Sequence, residues 1–124
     1  MKVKCISIFN EHTMKYQSES EWLTVNKEYI VLSIDVYADK VFYLIVDDST
    51  NNIPGLHNAA QFQITSNKMP KNWTLTPGEI ELFTLGPKAW QLPGFWESFY
   101  EGNLLSLNVY QREAYIIYEE SEKE

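Results

Sequence analysis

The stretch EIELFTLGPKAWQLPGFWESFYEGNLLSLNVYQREAYIIY, residues 79–118, changes period within itself. Glu79-Ile80-Glu81-Leu82-Phe83 alternates polar and apolar residues as a short strand does. From Pro87 the alternation gives way to helical signals. Pro87 suits the first turn of a helix, Pro93-Gly94 interrupts after Trp90, and Phe95 to Tyr100 form a short helix ended by Gly102, a natural residue for the position after a helix. Asn103 can cap a second helix in which Leu107, Tyr110, Ala114 and Ile117 recur at three- and four-residue spacing. Leu105, Leu107 and Val109 also alternate, so an extended first half is the competing reading. Strands followed by helices, each needing to bury one face, make an α+β domain.

Upstream of this switch the signals are those of strands. Val3 to Phe9 alternates, and residues 10–21 are polar, with Ser18 to Glu21 read as a loop or one helical turn. In the segment Trp22 to Ile34, Asn26 tolerates positive φ and turns the chain into a strand in which Ile30, Leu32 and Ile34 share a face. Tyr37 to Lys40 is a turn, and Val41 to Val46 is apolar on both faces, so it should be central and covered on both sides. Residues 48–58 are dense in turn formers and read as a loop. Ala60 to Thr65 is a half-exposed strand, and Pro70 and Pro77-Gly78 bracket a loop containing Trp73. The predicted fold is therefore α+β: a strongly bent, mainly antiparallel sheet from residues 3–9, 28–36, 41–47, 60–65 and 79–84, with helices at about 87–101 and 103–119 packed on it. Residues 23–65, with the pattern Leu23-x-x-x-Lys27-x-Tyr29-x-Val31, resemble an SH3-like sheet.

A chain of 124 residues fits one domain, here 1–124, and is long enough to fold without disulfide or metal staples. Its single cysteine, Cys5, favours a reducing cytoplasm. The opening apolar run ends at Asn10, too soon for a signal peptide, and nothing approaches the ~18 unbroken apolar residues of a membrane span. The expectation is a cytoplasmic protein that does not engage membranes. The net charge of −7 works against nucleic-acid binding. Residues 1–78 hold 7 bases and 8 acids, a net of −1, whereas residues 79–124 hold 3 bases and 9 acids, a net of −6. That C-terminal third is read either as a solvated helix face with an acidic, frayed tail from Glu119 to Glu124, or as a surface for a basic partner.

Catalytic chemistry is not written in the residues. His12 and His57 have no second ligand at metal-binding spacing, and Cys5 in an apolar strand reads as a buried, inert thiol. Asp47 and Asp48 end a strand without the alternating oxygen ligands of a cation loop. No phosphate-binding glycine loop or nucleophile elbow is present, so the expectation is a non-enzyme with no cofactor and no metal. Trp90, Phe95, Trp96, Phe99 and Tyr100 fall within eleven residues and read mostly as core, leaving one or two rings exposed, with Trp96 beside Glu97 the candidate.

Residues 87–118, through Trp90, Gly94-Phe95-Trp96-Glu97, Phe99-Tyr100 and Glu101-Gly102-Asn103 leading into a closing helix, resemble the C-terminal region of small immunity proteins of bacterial polymorphic-toxin and contact-dependent growth inhibition systems. The resemblance implies an inhibitor that occludes a cognate protein toxin, most plausibly a basic nuclease. The partner-facing residues expected on this reading are Glu97, Glu101, Glu113 and Trp96, with Asp47 and Asp48 beside the 48–58 loop. Two further readings stand beside it: a small-molecule-binding or enzymatic domain using an aromatic groove, and a self-associating structural module.

Overall fold

The computed structural model describes residues 1–123. Ten strands precede two helices among them: β1 (Lys2–Cys5), β2 (Ile8–Asn10), β3 (Lys15–Gln17), β4 (Glu28–Ile30), β5 (Ser33–Val36), β6 (Val41–Val46), β7 (Pro54–Asn58), β8 (Phe62–Ser66), β9 (Trp73–Pro77), β10 (Phe83–Pro87), α1 (Phe95–Tyr100) and α2 (Leu104–Glu122). All pairings are antiparallel, in a three-stranded sheet β4-β1-β8, a five-stranded sheet β7-β6-β5-β10-β9 and the hairpin β2-β3. The fold is α+β with antiparallel sheets and two C-terminal helices.

The bend expected in the sheet lies at Val31-Leu32. Asn26 takes φ +73° and turns the chain into β4. Val31 then donates its N–H to Met1 O at 3.0 Å, in the three-stranded sheet, while Leu32 donates to Leu44 O at 2.8 Å, in the five-stranded sheet. What reads as one strand over 28–36 is thus two, and the chain changes sheet at a corner where both side chains are fully buried. The strand predicted over 3–9 is likewise split, because Ile6 and Ser7 both donate to Gln61 O.

Central β6 is covered on both sides, as its sequence requires. Tyr43 and Ile45 join Val3, Cys5, Tyr29, Ile34 and Phe62 in one core between the sheets. Leu44, with Val46 packed at the margin, joins Leu32, Trp90, Phe95, Phe99, Tyr110, Ala114 and Ile117 in a second core under the helices. Trp73 packs against both.

Two segments read as loops, and one read only as polar, pair into sheets. Residues 54–58 form β7, and Pro54 is tolerated because it opens an edge strand. Trp73–Pro77 form the other edge, β9, and Lys15–Gln17 return against β2 through a turn in which Met14 has φ +55°. The strand predicted over 79–84 is displaced to Phe83–Pro87, because residues 78–82 make the β9–β10 turn and leave Ile80 and Leu82 exposed. The helix predicted over 87–101 is a 3-10 turn at Lys88–Gln91 followed by α1. Pro93 holds Leu92 extended at ψ 140°, and Gly94 at φ +78° starts the new helix. The second helix begins as predicted: Gly102 has φ +84°, and Asn103 Oδ1 accepts from the Ser106 N–H at 3.1 Å. It is helical throughout 104–122 and does not fray at Glu119. Ser121 is buried, and the Glu120 carboxylate accepts from the Lys71 N–H. Glu124 lies outside the described residues.

Candidate functional site

The short helix α1 and the start of α2 form a corner with an acidic and apolar surface. Glu97 and Glu101 are both exposed, and the Glu101 N–H bonds Glu97 O at 3.0 Å, so the two side chains leave the same side of one helical turn. In the same stretch of chain Leu92, Tyr100, Leu104 and Leu105 are 58%, 54%, 75% and 77% exposed. Four large apolar residues this open within fourteen positions are not explained by folding, since each leaves most of its surface in water. The corner is held rigidly. Tyr100 donates its hydroxyl to Pro54 O at 2.9 Å, pinning α1 to the start of β7, and Asn103 caps α2.

Trp96 is not the exposed ring that its place beside Glu97 suggests. It is half-buried, with its centroid 5.0 to 5.9 Å from those of Phe95, Phe99, Trp90 and Tyr100. Trp90 stacks on Tyr110 at 5.3 Å, so Trp90, Phe95 and Phe99 close into core. Tyr100 is the ring left at the surface.

The other acidic residues singled out from the sequence lie apart from this corner. Glu113 is nine residues along α2 from Leu104, about 14 Å at the helical rise. Its side chain is 17% exposed, with Arg112 Nε 3.9 Å away, and its carbonyl accepts from Asn72 Nδ2 at 3.1 Å. Asp47 is 6% exposed in its side chain; Oδ1 accepts from the Ser49 N–H at 3.0 Å and Oδ2 lies 2.9 Å from His57 Nε2. Asp48 accepts from Thr24 Oγ1 at 2.6 Å, Tyr29 OH at 2.9 Å and Lys27 Nζ. Burial pushes the Asp48 carboxyl up, but these donors outweigh it and hold it below the usual carboxylate range. Both aspartates are therefore occupied within the fold, tying β6 to the 22–29 segment and to β7.

A concave feature elsewhere on the molecule was hidden in the sequence. A groove of about 700 Å³ runs between the β2–β3 hairpin and the β6–β7 edge, with Phe9, Tyr16, Trp22, Leu56, Glu21 and His57 among its walls. Four separate chain segments contribute, two of which read as loops. The one local signal was the aromatic pair Phe9 and Tyr16 flanking the turn after Asn10, which the hairpin sets opposite each other. The Asp47–His57 pair orients an imidazole as a catalytic base would be oriented, yet neither Ser7 nor Ser20, the serines in the groove wall, is hydrogen-bonded to it. Cys5 is buried, and burial pushes its thiol up, which makes it a poor nucleophile. Among the described residues no group of three or more His, Cys, Asp or Glu is placed to hold a metal ion.

No protein family, no curated protein and no solved structure matches this chain. No helix among the described residues is long and apolar enough to cross a membrane.

Proposed function

We propose that this chain is an immunity protein, a non-catalytic inhibitor that acts in the cytoplasm by covering the active site of a cognate basic toxin, most plausibly a nuclease domain. The observation that carries the reading is the α1–α2 corner, where Leu92, Tyr100, Leu104 and Leu105 stand open in the same stretch of chain as Glu97 and Glu101. Apolar anchors among charged residues have the anatomy of a protein interface. The net of −6 over residues 79–124 complements a protein whose own surface is built to attract phosphate, and such complementarity speeds encounter. The resemblance of residues 87–118 to immunity proteins falls on this same corner.

The test is protection. The chain is co-expressed with a basic nuclease toxin domain from a polymorphic-toxin gene adjoining its own, and growth is compared with that of cells carrying the toxin alone; a locus with no such gene counts against the proposal. Restored growth, with a complex of the two purified proteins, supports the proposal. Unprotected growth despite soluble expression of both overturns it.

A further inference from the structure

We propose that the groove between the β2–β3 hairpin and the β6–β7 edge binds a small organic cation carrying a guanidinium group. This goes beyond the toxin reading and does not depend on it. The volume, about 700 Å³, is that of a small-molecule site. The walls combine aromatic rings with carboxylates: Phe9, Tyr16, Trp22 and Phe42 line it, Glu11 and Glu21 stand in it beside the imidazoles of His12 and His57, and no Lys or Arg is among them.

Neither glutamate makes an ion pair or a side-chain hydrogen bond with another described residue, so both charges are available to a ligand. Trp22 and Tyr16 are 52% and 74% exposed, a cost in water that a stacked planar cation would relieve. Tyr16 is nevertheless held in place, its ring packed edge-on against Phe9 at 5.2 Å.

The choice of guanidinium over ammonium follows from shape. A guanidinium can stack flat on an aromatic face and still present a fork of two parallel N–H donors to one carboxylate, whereas an ammonium donates from a single point and cannot bind bidentately. His57 closes the β7 side of the groove, its Nε2 lying 2.9 Å from Asp47 Oδ2.

The test is a chemical-shift titration of the ¹⁵N-labelled protein with L-argininamide, run in parallel with L-citrullinamide, whose ureido group has the same shape and no charge. The proposal predicts saturable shifts centred on the Trp22 indole, Tyr16 and His57, and none of comparable size from citrullinamide. Trp22→Ala should weaken binding about tenfold, the scale of one cation–π contact. Glu21→Gln, a surface change that leaves the fold intact, should weaken it several-fold, on the order of one exposed charge pair. Absence of saturation, equal binding of citrullinamide, shifts centred on the α1–α2 corner, or a Glu21→Gln variant that binds as well as the parent would each overturn it.

Discussion

Replacing Asp48 by Ala separates a structural carboxylate from a partner-binding one. Three donors converge on this side chain, and they differ in what they lose. Tyr29 is buried, so its hydroxyl, which still accepts from the Thr24 N–H at 2.8 Å, would keep a proton with nowhere to go. Burial, with the Asp48 carboxylate beside it, pushes Tyr29 up to about 12, so that proton is present at every ordinary pH. Stranding a buried donor costs about 1–3 kcal/mol. Lys27 and Thr24 can turn to water, and their share is under about 1 kcal/mol. The loss expected for Asp48→Ala is therefore about 2–3 kcal/mol at pH 7, read from urea unfolding with an unchanged m-value. The pH dependence has a definite sign. The folded carboxyl titrates below its unfolded value, so its stabilisation is complete above the unfolded pKa, near 4, and is lost as pH falls through the folded one. The gap between parent and variant should be constant from pH 8 to 5 and should narrow below about pH 4. A gap under 1 kcal/mol at pH 7, or one still undiminished at pH 3, would refute this reasoning.

Two other substitutions test the packing of the helices. Ser121 is buried and its hydroxyl has no hydrogen-bond partner, so Ser121→Ala should raise stability by about 1 kcal/mol, seen as a melting temperature higher by about 3–5 °C; a lower one would mean the hydroxyl is satisfied. Trp96→Ala removes a half-buried ring from contact with Trp90, Phe95, Phe99 and Tyr100 and should cost about 2–3 kcal/mol in chemical denaturation, whereas a loss below about 1 kcal/mol would put the ring outside the core.

The sequence was most legible where one residue type answers one local need. Val41–Val46 could only be central, Asn26 and Gly102 sit where the backbone takes positive φ, and Asn103 caps the helix it precedes. It was least legible where partners come from far along the chain. Nothing local says that Val31 bonds one sheet and Leu32 the other, because two buried apolar residues read alike in either. Ile80 and Leu82 alternate as a strand does, yet they decorate a turn whose position is fixed by Trp73–Pro77 pairing with β10. Among the candidate site residues, Glu97 and Glu101 share a side because spacing of four fixes it. The partners of Asp47 and Asp48, at His57, Thr24, Lys27 and Tyr29, lie 10 to 24 residues away and leave no mark in the local pattern.

The proposed meeting of the acidic α1–α2 corner with a basic toxin is tested by the association rate of the purified pair at low and high salt. Glu97→Lys with Glu101→Lys should leave the monomer folded, since both side chains are exposed. The double variant is predicted to associate more slowly at low salt and to lose much of the salt dependence shown by the parent protein. Association of the double variant at the parent's rate and with the parent's salt dependence would contradict the account, making the corner a solubilising surface and placing the toxin elsewhere.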